Sequence, residues 1–367
     1  MDFVTLGAGR LRHPIAAALI GAASGLAALP ACGVELSERI DLHGYGHQTF
    51  MQSSANTYMG ADRSGTWNNN YLGLVLTGTL TEKSKLWAQV QGSSSRGDRQ
   101  NPRVSWLFVD YQLNDAVRVH AGRVKLPLGL YTEYIDAKAL HLAALEPSLY
   151  QSYRTGGDME HDAYHGVGID IEHEFGGGHL RWQAWGGRPF DVDPPEESRD
   201  RRAWGGRVTW QPPIDGLKLM LSGYRTQVEH LDHAFRSNED RAIASVELAR
   251  GPWELRAERS WHREIEPEGA TFSHAWYVQG GYTFAARWTP YLRYDSVTTD
   301  RARRADPSHY QRTVAIGLGY KLGENLGLRL ENHFHRGYAL PVATGEVEAG
   351  AGRVNWQQFV AAINFRF

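Results

Sequence analysis

The segment "NWQQFVAAINFRF", residues 355–367, alternates apolar and polar side chains with a period of two. This period is typical of a β-strand whose two faces meet different surroundings. One face carries Phe359, Ala361, Ile363, Phe365 and Phe367. The other face carries Gln358, Ala362, Asn364 and Arg366. Because the last residues of a soluble domain usually fray, an aromatic side chain at residue 367 would gain little there. The segment therefore indicates that a non-aqueous phase contacts one face of the strand.

The same period of two recurs along the chain, whereas helical spacing is rare. In "YLGLVLTGTL", residues 71–80, four leucines share one face, and "LGLRLENHFH", residues 326–335, repeats the pattern. Such segments predict sixteen strands, each close to the ~9–11 residues that a tilted strand needs to cross a bilayer. They are 40–50, 71–80, 85–95, 103–113, 117–126, 164–174, 178–187, 202–211, 216–227, 240–249, 252–262, 272–284, 287–297, 310–320, 326–335 and 355–367.

The connections between these segments alternate in length along the whole chain. Seven are short, namely "TEKS", "NDA", "FGGG", "PPID", "RG", "AA" and "KLGEN", and the intervening ones are mostly longer and polar. In an up-and-down barrel this alternation places all short turns at one rim and all long loops at the other. Outer-membrane barrels have this asymmetry, with tight periplasmic turns and long extracellular loops. The sequence therefore predicts an all-β fold, a 16-stranded antiparallel transmembrane β-barrel whose last strand closes on the first.

Aromatic residues with outward parity cluster beside the short turns. They are Phe175, Trp210, Trp253, Phe284, Trp288, Tyr320, Phe365 and Phe367. Amphipathic rings favour the depth of the lipid headgroups. We therefore expect these residues to form an aromatic girdle at the rim of the short turns.

The N-terminal residues have the composition of a targeting segment. Arg10 and Arg12 precede an apolar run at residues 14–31, and small residues follow. This order predicts a signal peptide over residues 1–33, cleaved near Ala31 or Gly33, and a barrel over residues 34–367. The single cysteine, Cys32, is either removed with the signal or lipidated, and it excludes an internal disulfide framework.

The remaining composition excludes several classes of function. The 367 residues carry a formal net charge of −2, which gives no reason to expect a nucleic-acid partner. The chain has no Gly-x-Ser-x-Gly motif, no phosphate-cradling glycine loop and no paired-cysteine metal site. His333 and His335 share an inner face, but spacing supplies no third metal ligand. We predict no catalytic residue, no metal and no cofactor.

The stretch "AGRVKLPLGLYTEYIDAKAL", residues 121–140, resembles a segment of the phosphate-selective porins, the outer-membrane O and P family. In that family a strand ending in Gly-Arg-x-Lys-x-Pro-x-Gly-Leu leads into the third loop. The matching positions are Gly122, Arg123, Lys125, Pro127, Gly129 and Leu130. The resemblance implies a Gram-negative outer-membrane porin, a homotrimer with one pore in each subunit, and a third loop folded inside the barrel.

The longest connection, residues 127–163, is the candidate third loop. A loop of this length in a compact domain is usually functional or disordered. It carries many leucines and tyrosines, such as Leu130, Tyr134, Leu145 and Tyr150, which are too apolar to extend into water. We therefore expect the third loop to fold into the lumen and to narrow the channel.

Charged residues of both signs have inward parity or belong to the third loop. The predicted constriction comprises Arg118, Arg123, Lys125, Glu133 and Asp136. The predicted pore lining comprises Arg181, Arg207, Glu254, Arg256, Glu258, Arg293, Asp295, Arg329 and Glu331. Sixteen strands enclose an aqueous channel rather than a packed core. The numbers of positive and negative charges are nearly equal. These charges either form a salt-bridged wall or lie on opposite sides of the constriction and produce a transverse electric field.

These features predict passive, weakly selective diffusion of ions and small polar solutes through the outer membrane. The partners would be outer-membrane lipid, lipopolysaccharide and the solutes themselves. A phosphate-selective pore should show an uncompensated excess of cationic donors, so an anion- or phosphate-selective porin is the alternative. An outer-membrane barrel enzyme of the lipase type and a periplasmic β-rich binding protein are the further alternatives.

Overall fold

The protein is described by a computed structural model that covers residues 34–95, 98–153, 163–190, 198–231 and 235–367. The predicted signal peptide, residues 1–33, lies outside the described residues. Within the described ranges, every helix is too short or too polar to cross a membrane.

Seventeen strands account for most of the described chain. They are β1 (Val34–Ser37), β2 (Ile40–Ser53), β3 (Thr66–Thr81), β4 (Ser84–Ser95), β5 (Asp98–Gln112), β6 (Val117–Lys125), β7 (Ala163–Phe175), β8 (Gly178–Phe190), β9 (Ser198–Gln211), β10 (Leu217–His230), β11 (Phe235–Arg250), β12 (Trp253–Glu266), β13 (Gly269–Tyr282), β14 (Trp288–Thr298), β15 (Tyr310–Lys321), β16 (Leu326–Gly337) and β17 (Asn355–Arg366). Four short helices, Thr132–Tyr134, Lys138–Leu140, Ser148–Tyr153 and Ala339–Ala343, lie in the connections.

Strands β2 to β17 form one closed antiparallel ring. Each strand pairs with its neighbours in the chain, and β17 pairs with β2 from Gln358↔Ser53 to Arg366↔Tyr45. The predicted 16-stranded antiparallel β-barrel is therefore confirmed. The short strand β1 folds back on β2 at Val34↔Leu42 and extends the sheet past the end of β17.

The seam between β2 and β17 is closed on the outer face by two aromatic rings. The backbone N–H of Phe367 donates to the carbonyl of Gly44 over 2.8 Å, and the N–H of Gly44 donates to the carbonyl of Phe367 over 3.0 Å. The ring of Phe367 covers Gly44, and the ring of Phe365 covers Gly46. The alternation in residues 355–367 thus continues to the last residue because that residue belongs to the ring.

The rim that holds Ile40 and Phe367 carries only short turns of two to five residues, as predicted. The opposite rim carries the first loop (residues 54–65), the third loop and the last loop (residues 338–354). The predicted alternation nevertheless fails at residues 263–271, where β12 and β13 pair up to Glu266↔Gly269 and only Pro267 and Glu268 connect them. The ladders of β4 with β5 and of β10 with β11 likewise extend to Ser95↔Asp98 and His230↔Phe235, where longer connections were predicted. Polar residues with water on both sides can remain in a strand, so their polarity alone does not mark a loop.

The outer surface exposes apolar side chains along every strand. On β12, Trp253 at the short-turn rim and Trp261 near the other rim are 54% and 44% exposed. Eight residues separate them, about 26 Å along a strand and roughly 20 Å in height after a tilt of about 40°. At the short-turn rim Trp253 packs on Tyr282 and Trp288 on Tyr320, with ring centroids 4.6 and 4.3 Å apart. An exposed apolar band of this height bounded by aromatic rings is suited to lipid contact.

Candidate functional site

The third loop lies inside the barrel, as expected from its apolar residues. It leaves β6 after Lys125, crosses the lumen and packs against the inner faces of β10 to β17. Its buried apolar side chains include Leu126, Leu128, Leu130, Tyr131, Leu145, Leu149 and Tyr150. A loop inside a barrel also brings backbone N–H and C=O groups with it, and these groups need hydrogen-bond partners.

Glu258 on β12 supplies several of those partners. Its carboxylate accepts a hydrogen bond from the backbone N–H of Leu130 over 2.8 Å and from the Tyr150 hydroxyl over 2.7 Å. The hydroxyls of Ser245 and Tyr277 donate to the same carboxylate over 2.6 and 2.8 Å. Glu258 is only 3% exposed, so it anchors the third loop instead of lining an open channel.

Arg293 and Asp295 on β14 form a second anchor. Arg293 donates to the carbonyl of Leu145 and to the carboxylate of Asp295, each over 2.8 Å. Asp295 accepts from the backbone N–H of Ser148 over 2.8 Å. Both charged residues are fully buried beneath the loop, although we expected them to line the pore.

Arg329 and Glu331 on β16 form the third anchor. Arg329 donates to the carbonyl of Leu142 over 3.1 Å, and the backbone N–H of Ala144 donates to Glu331. Glu331 also accepts from the Tyr291 hydroxyl. The side chains of Arg329 and Glu331 therefore face inward, as predicted from strand parity. The third loop covers them, and its backbone groups use them as hydrogen-bond partners.

A stripe of ion pairs lines the wall on the short-turn side of the third loop. Arg256 contacts Glu247 over 2.9 Å and Glu254 over 3.2 Å, and Lys218 contacts Glu247 over 2.7 Å. Arg256 also donates to the Tyr131 hydroxyl of the loop over 3.0 Å. Arg256 and Glu254 thus lie on a salt-bridged inner wall.

The first and last loops close more of the lumen above the third loop. The Tyr58 hydroxyl of the first loop donates to Gln151 of the third loop. Glu346 of the last loop accepts hydrogen bonds from the backbone N–H groups of Met59 and Gly60 over 2.9 and 2.6 Å. The three loops therefore pack together, and a cavity lies beside β5 to β8.

We call this space the opening. It is a cavity of about 110 Å³ between the third loop and the inner faces of β5 to β8. Its charged lining residues are Asp110, Arg118, Lys125, Glu133, Asp170 and Arg181. Its other lining residues include Phe108, His120, Gln183 and Trp185. Four residues of the predicted site, Arg118, Lys125, Glu133 and Arg181, meet here.

Most charges at the opening are paired. Lys125 contacts Asp136 over 2.9 Å, and Arg181 contacts Asp170 over 2.5 Å. Arg207 contacts Glu133 of the third loop over 2.6 Å. Arg118 donates to Gln112 over 3.2 Å and forms no ion pair within 4.0 Å among the described residues.

Arg123, expected at the constriction, lies on the outer face of the barrel. Its guanidinium donates to the carbonyl of Val104 over 2.6 Å and lies 3.7 Å from the centre of the Phe190 ring. Inward parity on β6 belongs to Arg118 and His120, which line the opening. The prediction followed the closeness of Arg123 to the third loop in sequence, and strand parity would have excluded it.

The prediction also missed His120, Gln183, Phe108 and Trp185. All four have inward parity on β5, β6 and β8, so parity was the available signal. Strand parity identifies all inward-facing residues alike. It does not show which of them the third loop leaves uncovered, so it could not distinguish these four.

Two groups of side chains have the composition of metal ligands. Candidate donor atoms of His230, Glu264 and Glu266, at the long-loop ends of β10 and β12, lie within 4.8 Å of one another. The pair considered from sequence has other partners: His333 contacts Glu331 over 2.6 Å, and His335 stacks on Trp356 at 3.8 Å.

The barrel is similar to solved structures of outer-membrane proteins. OmpT of Vibrio cholerae superposes with a TM-score of 0.61 at 12% identity, covering 91% of this chain and 100% of that chain. The anion-selective porin of Comamonas acidovorans gives a TM-score of 0.62 at 14% identity, covering 89% and 99%. OmpF of Salmonella typhi, in complex with daunomycin, gives 0.62 at 12% identity, covering 89% and 97%. The chain therefore has the fold of the outer-membrane porins.

No protein-family model matches the chain, and no curated protein matches it by sequence.

Proposed function

We propose that the chain is a porin of the Gram-negative outer membrane, through which ions and small polar solutes diffuse passively. The closed barrel, its apolar outer band and the third loop inside the lumen support this role. The observation that carries the proposal is the opening beside β5 to β8, which is lined by charged and polar side chains. A passive channel needs only a polar path through the lumen, so we propose no catalytic role.

The proposed channel is weakly selective. Lys125, Arg181 and Arg207 each contact a carboxylate at the opening, so neither sign of charge is in clear excess. The alternative is an anion- or phosphate-selective porin. Arg118, which has no ion-pair partner among the described residues, favours that alternative, as does the resemblance of residues 121–140 to the phosphate-selective porins.

The assembly and processing of the chain belong to the same proposal. We propose removal of residues 1–33 as a signal peptide and assembly of residues 34–367 into a homotrimer in contact with lipopolysaccharide. Gel filtration in detergent with light scattering measures the stoichiometry. A protein–detergent complex that contains one copy of the chain would contradict the trimer.

Planar bilayers test the channel. The refolded chain should give discrete conductance steps, with a reversal potential near zero in a gradient of potassium chloride. A large reversal potential of the anion-selective sign would favour the alternative. Absence of conductance from correctly folded, heat-modifiable protein would contradict the channel itself.

A further inference from the structure

The wall of the opening that faces the third loop carries a connected row of aromatic rings. We call this row the aromatic arc; it consists of Trp87, Phe108, His120, Tyr164 and Trp185. The ring centroids are 6.4 Å apart for Trp87 and Phe108, and 6.2 Å apart for Phe108 and His120. They are 6.5 Å apart for His120 and Tyr164, and 4.5 Å apart for Tyr164 and Trp185. The arc thus crosses the inner faces of β4 to β8 without a break.

The arc presents fixed ring surfaces to the opening. Phe108, His120 and Trp185 line the cavity. The Trp185 ring stacks on Tyr164 at an interplanar angle of 28°, and Tyr164 shares a hydrogen bond of 2.8 Å with the His120 ring. Rings held by neighbours in this way lose little conformational entropy when a solute packs on them.

Polar groups on the same wall provide both hydrogen-bond donors and acceptors. Arg118 supplies donors and Asp110 supplies acceptors, whereas Arg181 pairs with Asp170 and the Gln183 amide bonds to Asp170 and Arg207. The opposite signs balance, so this wall offers directional hydrogen bonds without a strong preference for an anion or a cation. A binding site that combines apolar faces with a few convergent polar groups suits a small solute of matching character.

We propose that the opening favours small neutral cyclic polyols, the chemical class that includes monosaccharides. Such a ring has C–H faces that pack on aromatic surfaces and hydroxyl groups at its edge that both donate and accept. The faces would lie along Phe108 and Trp185, and the hydroxyls would meet Asp110 and Arg118. This inference rests on the proposed function, because the solute must reach the opening through the channel.

Swelling of proteoliposomes separates ring shape from size. Myo-inositol and sorbitol are both uncharged and have equal numbers of carbon atoms and hydroxyl groups, but only myo-inositol is cyclic. We expect myo-inositol to enter about threefold faster through the wild-type protein, in line with the modest energy of one aromatic contact. Phe108→Leu, which removes the ring and keeps an apolar side chain, should bring the two rates together.

Phe272→Leu is the matched control, because Phe272 is exposed on the outer face of β13. It should keep the wild-type ratio of rates.

A measurement on the wild-type protein alone adds a test that needs no variant: myo-inositol should reduce the single-channel ion current more than sorbitol does. Equal swelling rates for the two polyols, or an unchanged ratio in Phe108→Leu, would overturn the preference for rings while leaving the channel intact. Absence of both swelling and ion conductance would overturn the channel and this inference together.

Discussion

The seam of the barrel depends on a residue without a side chain. At Gly44 an added Cβ atom would lie 2.2 Å from the ring of Phe367, well inside van der Waals contact. The ring could move only by leaving the position in which it covers the hydrogen bonds between Gly44 and Phe367. The last ring and the glycine beneath it therefore act as one unit.

Gly44→Ala should destabilise the barrel by about 1–3 kcal/mol, because it overpacks this contact. The measurement is the urea midpoint for loss of the heat-modifiable form on detergent gels. Gly92→Ala on β4 is the control, since no atom lies within 4 Å of the position of its added Cβ. An equal loss in both variants would assign the effect to strand propensity and not to the seam.

His141 makes the third loop sensitive to pH. Its ring packs edge-on against Tyr131 with centroids 4.9 Å apart, and its Nε2 hydrogen-bonds to the carbonyl of Tyr134 over 3.0 Å. Burial, followed by the nearby charge of Lys138, holds the pKa of His141 well below its ordinary value of 6.5. The folded loop therefore keeps this imidazole neutral.

The loop should loosen as the pH falls below about 6.5, because the unfolded loop binds a proton that the folded loop excludes. The stabilisation is complete above the unfolded pKa and is lost by about 1.4 kcal/mol per pH unit as the pH falls towards the folded pKa. Brief closures in single-channel records should become more frequent between pH 6.5 and 5. His141→Phe should show much less of this increase, and the same pH response in both proteins would exclude His141 as its source.

Strand parity, read from the sequence, placed most of the charged site residues on the correct face. It placed Glu258, Arg293 and Glu331 on the inner wall, where the structure has them. It could not show that the third loop covers them, since no local pattern records which wall a loop contacts. Arg123 was misplaced because nearness in sequence was allowed to outweigh parity.

At the scale of elements, the third loop is held by hydrogen bonds to charged wall residues as well as by its leucines. Glu258 alone accepts from two groups of the loop and two hydroxyls of the wall. Removing one partner from a buried charged network leaves the other groups unsatisfied, which usually costs several kcal/mol. Glu258 is therefore one of the points at which the wall holds the loop.

Glu258→Ala should release this part of the loop at a cost of about 3 kcal/mol or more. We expect noisier single-channel currents and faster proteolysis within the third loop, measured by limited digestion and mass spectrometry. Glu174→Ala is the control, because Glu174 is exposed at the short-turn rim and its ion-pair partner among the described residues is His179, at 3.6 Å. Unchanged cleavage and current noise in Glu258→Ala would show that apolar packing alone holds the loop.

Pro290 shows how an element tolerates a residue that its sequence pattern disfavours. Proline lacks the N–H that a strand ladder uses, so within sheets it usually lies in an edge strand or at a bulge. The ladder of β14 with β15 instead runs through Pro290↔Leu318 without a shift in register. On the other side, the continuous ladder with β13 ends at Gly281↔Tyr291, just before Pro290. The N–H that Pro290 lacks is therefore at a position outside the continuous ladder with β13.

At the scale of the whole molecule, the balance of charge at the opening should set ion selectivity. Glu133→Gln removes the carboxylate that contacts Arg207 and leaves one more uncompensated positive charge beside the path. The permeability ratio of anions to cations, taken from reversal potentials, should rise about threefold. Arg118→Ala should move the ratio in the opposite direction.

Arg123→Ala is the matched control for both variants, because its guanidinium lies over Phe190 on the outer face. Its reversal potential should equal that of the wild-type protein. A shift as large as that of Arg118→Ala would place Arg123 in the ion path and contradict its position in the structure.

The pairing of β17 with β2 joins segments about three hundred residues apart in the chain, so no partial product can complete the ring. Until both segments are present, two rows of backbone N–H and C=O groups remain open, and hydrocarbon cannot satisfy them. Contacts this distant in sequence also form slowly. Insertion into a bilayer therefore requires that β17 has been synthesised. Cells that make this protein need a means of keeping the unfolded polypeptide from aggregating on its way to the membrane.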